Sequence, residues 1–255
     1  MKTALITGAS SGIGLELSKI LASEGYNLVI VARRKDKLDN LKSELEHTYP
    51  IQVEVLAKDL SEENSAQTVF DFTQNKGIQI EILINNAGFG DYGFFSETEW
   101  QKEAQMLQLN IVTLTQLCKL FSQDMRKNKS GKILNVASTA AFQPGPMMSV
   151  YFASKAYVLH FSEALANELK SANIGVTALC PGLTESEFVQ EAGMGKSQLS
   201  KGKMATTKQV ADYAIQAMMN KKPVAIHGFK NRMMVLLLRF TPRSVATKVT
   251  RYLLS

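Results

Sequence analysis

Short β-branched apolar runs alternate along this chain with longer stretches whose apolar positions have helical spacing. Thr3 to Thr7 is apolar and stops at Gly8, and beyond Gly14 the positions Leu15, Leu17, Ile20 and Leu21 fit one helix face. Asn27–Ala32 is continuously apolar, as strands buried on both sides of a parallel sheet are. The pattern then predicts a polar helix over Lys35–His47, a third strand over Ile51–Ala57 after Pro50, and a helix opened by Ser61 as N-cap. A fourth strand over Glu81–Asn85, a long helix over Glu97–Asn128 and a fifth strand over Lys132–Ala137 follow. A helix through Tyr151 runs to about Ala172, and a sixth strand, Ile174–Cys180, is stopped by Pro181-Gly182. Leu183–Ala205 is irregular and rich in Gly, Ser and Lys, which predicts a mobile loop over a site. Thr207–Asn220 is a further helix and Val224–Ile226 a last strand.

Strands alternating with helices at this spacing imply βαβ units and an α/β fold. The expectation is one domain over residues 1–230, a doubly wound parallel sheet of the Rossmann type with helices on both faces. Residues 231–255 form a short basic helical extension. With 255 residues and 45% hydrophobic content the chain can bury a sizeable core. Its two cysteines, Cys118 and Cys180, lie in apolar runs, which argues against a disulfide framework and fits a reducing, cytoplasmic setting. The apolar run at the N-terminus is too short for a signal peptide, and no run approaches the ~20 residues of a membrane span.

Charge is uneven and changes the picture at one end. Residues 1–195 hold 17 Lys/Arg against 22 Asp/Glu, net −5, whereas residues 196–255 hold 12 against Asp212 alone, net +11. That asymmetry points to an anionic partner for the C-terminal part. No nucleic-acid recognition module accompanies it, so nucleic acid is not expected. His47, His160 and His227 lack metal-ligand spacing with carboxylates or cysteines, and no metal site is expected.

Candidate chemistry begins at the first turn. Thr7-Gly8-Ala9-Ser10-Ser11-Gly12-Ile13-Gly14 joins strand to helix where a dinucleotide fold places its pyrophosphate. There glycine allows the backbone to approach phosphate, and the helix N-terminus offers free N–H groups. An acidic residue at the end of the second strand would hold the ribose 2′-hydroxyl of NAD, but the sequence reads Ala32-Arg33-Arg34. Arg can grip a 2′-phosphate through charge-assisted bonds, so NADP(H) is expected over NAD(H). Further on, Tyr151 and Lys155 stand four apart and would share a helix face. A free Tyr titrates near 10, and a neighbouring cation lowers that value. Phe89, Tyr92, Phe94 and Phe95 could line an apolar substrate pocket or serve in plain packing.

In order along the chain, Thr7-Gly8-x-x-x-Gly12-x-Gly14, Asp59, Asn85-Asn86-Ala87-Gly88, Asn110, Ser138, Tyr151-x-x-x-Lys155 and Pro181-Gly182 resemble the short-chain dehydrogenase/reductase family over roughly residues 1–228. The resemblance implies that Ser138 bonds a substrate oxygen, Tyr151 acts as general acid/base, and Lys155 lowers the Tyr151 pKa and holds the nicotinamide ribose. It implies that Asn110 positions a water next to Lys155, that Asp59 and Leu60 frame the adenine, and that Asn86-Ala87-Gly88 lie along the cofactor. Pro181, Gly182, Thr184 and Ser186 would border the nicotinamide; Ser186 replaces the Thr usual in the family and keeps its hydroxyl. A homodimer or homotetramer and a carbonyl or alcohol substrate, apolar by the pocket residues, are implied as well. The alternative is a dinucleotide-binding sensor that keeps the fold without chemistry.

Three readings of residues 231–255 stay open: packing on the domain or on another subunit, contact with anionic lipid, or a lid over a lipophilic or acyl substrate. Thr241-Pro242 reads as an N-cap followed by Pro at the first helical position, with Val245, Val249 and Tyr252 on one face of the last helix.

Overall fold

The buried apolar runs become strands, and the stretches of helical spacing become the helices that cover them. The computed structural model describes residues 2–193 and 204–255, so part of the expected loop over Leu183–Ala205 lies outside the described residues. In chain order the elements are β1 (Thr3–Thr7), α1 (Gly12–Ser23), β2 (Asn27–Ala32), α2 (Lys35–Thr48), β3 (Val53–Ala57), α3 (Ser65–Asn75), β4 (Ile80–Asn85) and α4 (Trp100–Leu107). They continue with α5 (Leu114–Lys127), β5 (Gly131–Val136), α6 (Ser149–Glu168), β6 (Ile174–Cys180), β7 (Thr184–Glu185), α7 (Phe188–Glu191), β8 (Ala205–Thr206), α8 (Thr207–Met219), β9 (Val224–Ile226), α9 (Phe229–Leu238) and α10 (Arg243–Leu254).

Seven parallel strands form the main sheet in the order β3-β2-β1-β4-β5-β6-β9, and β7 pairs with β8 in a small second sheet. Every residue of β1 and of β6 is buried, which is why these segments read as unbroken apolar runs. Successive residues face opposite sides. Ala4 and Ile6 join a core with Leu17 and Leu21 of α1, Leu38 and Leu41 of α2, and Val210 and Ala214 of α8. Leu5, Val29 and Val31 join the other core with Val69 of α3, Leu117 and Phe121 of α5, and Val158 of α6. Strand order reverses between β1 and β4, and a doubly wound sheet opens a ligand crevice at the carboxyl ends of its strands at such a point.

Three local expectations are corrected, and one helix face is settled. Ser61 does not cap α3: its N–H and hydroxyl donate to Asp59 Oδ1 at 2.9 and 2.7 Å, closing a turn, and α3 starts at Ser65 after a left-handed Asn64. The long helix is interrupted by a π turn over Gln108–Thr113 that carries Asn110. Pro242, with φ −55° and ψ 136°, is itself the residue flanking α10, while the Thr241 hydroxyl donates to Leu237 O at 2.9 Å and closes α9. The inward face of α10 is Ala246, Thr250 and Leu254, whose small first two members allow close approach; Val245, Val249 and Tyr252 are exposed. Among the described residues no helix is long and apolar enough to cross a membrane.

Candidate active site

The glycine turn is built from the inside by the turn after β4. Thr7 Oγ1 accepts the N–H groups of Asn86 and Ala87, both at 3.0 Å, and donates to Ile84 O at 3.2 Å. Asn86 Nδ2 donates to the carbonyls of Thr7 and Gly8 at 2.9 and 3.2 Å. This packing leaves no room for side chains: a Cβ on Gly14 would lie 2.3 Å from Gly8 O, and Gly8 also holds φ +68°. Gly14→Ala is therefore expected to destabilise the chain by about 1–3 kcal/mol. A melting curve reads this as a drop of about 2–4 °C per kcal/mol for a domain of this size, and an unchanged melting temperature would contradict it.

At the end of β2 the Arg34 guanidinium donates to Ser10 Oγ at 3.1 Å and to Ser11 Oγ at 2.9 Å. It also donates to Glu187 Oε2 at 2.8 Å, and Lys37 Nζ reaches Glu187 Oε1 at 3.1 Å. These hydrogen bonds, that from Arg34 foremost, hold the Glu187 carboxyl down at about 2. Glu187 was missed by sequence reasoning: one of three acids, Glu185, Glu187 and Glu191, after the Pro181-Gly182 stop, it gives no local sign that it reaches α2. Arg33 is exposed on the same cavity wall.

Tyr151 and Lys155 share the buried face of α6, at 8% and 5% exposure. Lys155 Nζ donates to Val136 O at 2.8 Å and lies 5.7 Å from the centre of the Tyr151 ring. Burial pushes the Tyr151 phenol up to about 12, with the Ser138 hydroxyl acting in the opposite direction. The same burial pushes the Lys155 ammonium down to about 8. Ser138 caps a short 3₁₀ turn, accepting the Ala140 N–H at 3.1 Å, which leaves its own proton to be donated, toward the Tyr151 oxygen or a substrate oxygen beside it.

Asn110 lies behind the wall of the cavity. Its Nδ2 donates to Phe89 O at 3.0 Å and to Ser154 Oγ at 3.1 Å, and the Ser154 hydroxyl donates to Tyr151 O at 2.7 Å. The π turn is thus tied through Ser154 to the backbone that carries Tyr151. A second buried ladder, Asn85 to Asn135 to Ser162, each step at 2.9 Å, joins β4, β5 and α6 beneath the site. The Cys118 and Cys180 thiols are buried and pushed up to about 12.

A cavity of about 1170 Å³ runs over these groups. At one end it is lined by Gly8, Ser10, Ser11, Gly12, Ile13, Arg33, Arg34, Asp59 and Leu60. Asn86, Ala87, Gly88, Ser138, Tyr151, Lys155, Pro181, Gly182, Thr184 and Ser186 line its middle. Ser186 closes on the glycine turn, its Cβ 3.5 Å from where a Cβ on Gly12 would be. An apolar stretch of its wall is made by Phe89, Met148, Phe152, Phe188, Met234, Leu253 and Leu254, with Glu99, Lys102, Gln105 and Glu191 also lining the cavity. Of the four aromatic residues considered for this pocket, only Phe89 lines it. Phe94 and Phe95 are exposed at 46% and 65%, and the Tyr92 hydroxyl donates to Leu254 O at 2.6 Å, pinning the end of α10. The apolar wall comes instead from α6, α7 and the tail. The only sequence signal for the tail's part in it was the Ala246-Thr250-Leu254 spacing, which competed with the stripe beside it.

A family model described as short chain dehydrogenase matches residues 2–197. A very-long-chain 3-oxoacyl-CoA reductase of Pyrenophora tritici-repentis is 34% identical over 217 residues, 82% of this chain and 61% of the relative. The chain therefore spans less than two thirds of that relative's length. A 7beta-hydroxysteroid dehydrogenase of Mediterraneibacter gnavus is 29% identical over 230 residues, 89% of this chain and 86% of the relative. Among solved structures, a short-chain dehydrogenase from Sphingobium yanoikuyae in complex with NADPH superposes with a TM-score of 0.84 at 31% identity, covering 94% of each chain. Matched over most of its length and carrying the same sheet, the chain belongs to the short chain dehydrogenase family.

Proposed function

We propose that this chain is an NADP(H)-dependent oxidoreductase that interconverts a carbonyl and a secondary alcohol on a lipophilic substrate. The observation that carries the reading is convergence: the glycine turn, the Arg34 cluster and the Ser138, Tyr151 and Lys155 side chains open on one cavity with an apolar stretch of wall. The cradle fits a dinucleotide: the Ser10 and Ser11 hydroxyls, the side-chain-free Gly12 and the Arg34 guanidinium line the same end of the cavity at the start of α1. When bound, the nicotinamide supplies or takes up the hydride. The relatives named for acyl-CoA and hydroxysteroid substrates support a large apolar ketone or alcohol.

The protein's part follows from its own groups. Ser138, whose hydroxyl faces Tyr151, turns its proton to the substrate oxygen. Tyr151, a phenol protonated at ordinary pH and pushed up to about 12 by burial, donates its proton to that oxygen in reduction and takes it back in oxidation. Lys155, anchored by one N–H to Val136 O, keeps two for ribose hydroxyls. Asn110 holds Tyr151 in place through Ser154. The direct test is NADPH oxidation with a panel of apolar ketones, and loss of that oxidation in a Tyr151 variant.

Preference for the 2′-phosphate rests on Arg34 with the Ser10 and Ser11 hydroxyls, and on the lack of a carboxylate at the end of β2. Arg34→Ala is expected to weaken NADPH binding about 10–100-fold, the worth of a charged hydrogen bond, with NADH binding little changed. Glu187 competes for the same guanidinium, so Glu187→Gln is expected to tighten NADPH and leave NADH unaffected. Fluorescence titration of both dinucleotides reads each change. Equal affinity of the unaltered protein for NADPH and NADH would overturn the preference, and weaker NADPH binding in Glu187→Gln would overturn the competition.

A further inference from the structure

The tail turns one face inward to the cavity and another, largely apolar, to solvent. Along α9 and its last turn, Phe229, Met233, Leu236, Leu237 and Phe240 recur at i, i+4, i+7, i+8 and i+11, the spacing of one helix stripe. All five are exposed, at 77%, 39%, 46%, 61% and 81%. On α10, Val245, Val249 and Tyr252 are exposed as well, at 46%, 52% and 73%. Scattered exposed apolar residues need no explanation, but a run along two consecutive helices does. Charge says what it meets. Residues 213–255 hold eight Lys and Arg and no Asp or Glu. A second copy docking through this same face would set like charges against like, whereas an anionic surface complements them.

We propose that α9 and α10 form an interfacial surface that docks the protein on a bilayer of anionic phospholipid. The apolar stripe lies at the acyl boundary, and the long stems of Arg239, Arg243 and Lys248 reach the headgroups. Phe229 both heads the stripe and lines the cavity, so the docked face borders the cavity mouth. Arg251 lies 4.7 Å over the ring of Phe94, which extends the face onto the loop after β4. Its use, delivery of a substrate dissolved in lipid, rests on the lipophilic-substrate reading. The surface itself does not.

The test is sedimentation of the full chain with vesicles of phosphatidylcholine alone and of phosphatidylcholine with phosphatidylserine. The protein is expected to sediment with the mixed vesicles, about tenfold more weakly with the neutral ones, and less in 1 M salt, where screening shortens to about 3 Å. Leu237→Glu with Phe240→Glu, at positions outside the cavity wall, should abolish sedimentation while NADPH affinity, the control for folding, stays unchanged. Reversal of Arg239 and Arg243 to Glu should do the same. A protein that stays in the supernatant with mixed vesicles, or sediments equally after both pairs of substitutions, overturns the proposal. So does a dimer in analytical ultracentrifugation that Leu237→Glu with Phe240→Glu splits, since a second copy would then be the occupant. Because no arm measures turnover, failure here leaves the proposed reaction standing, and failure of that reaction leaves the surface standing.

Discussion

Tyr151→Phe is expected to lower ketone reduction about 10²–10⁴-fold, the usual worth of a positioned proton donor, while NADPH affinity stays nearly unchanged. The ring itself has packing work to do, lying 6.1 Å from the centre of Phe152 and 5.3 Å from that of Phe188. Phe keeps those contacts, so the loss is confined to the hydroxyl. Burial holds the phenol near 12, which means the unaltered enzyme carries this proton throughout the ordinary working range. Steady-state rates beside a cofactor titration and a melting curve separate the effects. Turnover that survives the change undiminished would assign the proton to another group.

Lys155→Met should behave differently, because one ammonium serves two tasks. Cofactor affinity is expected to fall about 10–100-fold with the lost charged hydrogen bonds, and turnover to fall with it. Stability should show a distinct signature. In the folded chain the ammonium is pushed down to about 8 from the ordinary 10.5, so between those values the unfolded chain binds more protons than the folded one. Stability from this group therefore rises as pH climbs through the window, and below it the burial cost is present in full. The Met variant lacks that rise. Denaturant curves at pH 7 and above pH 9 read the difference, and an equal slope in both proteins would show that Lys155 titrates normally in the fold.

Much of the scaffold was legible because the parallel strands are buried on both sides and leave no alternation to misread. β1, β2 and β6 are continuous apolar runs closed by Gly8, Arg33 and Pro181, and a reader needs nothing further to find them. The turn between Thr7 and Gly14 was equally plain, since the backbone demands glycine where a Cβ would strike Gly8 O. What stayed hidden depends on partners distant in sequence. A single π turn is too short to stand out within a long helical pattern, so the segment around Asn110 looked regular. Ser61 has the chemistry of a cap, but the carboxylate of Asp59 two residues earlier takes both its donors. Nothing near Glu187 announces that it closes on Arg34. In α10 two stripes compete, and the one with larger apolar side chains faces solvent, because Ala246 and Thr250 are what fit against the domain. The depth at which Tyr151 and Lys155 sit was also hidden, and desolvation there pushes the phenol up and the ammonium down.

The central claim is that the cavity over Tyr151 performs hydride chemistry on a carbonyl or secondary alcohol and is more than a binding site. Incubating the purified full chain with NADPH and a panel of apolar ketones, with the alcohols identified by mass spectrometry, tests it most directly. The account predicts consumption of NADPH matched mole for mole by a secondary alcohol, and loss of both in Tyr151→Phe. Tight NADPH binding with no conversion of any ketone, and none of the corresponding alcohols with NADP, would contradict it and leave a dinucleotide sensor on this fold.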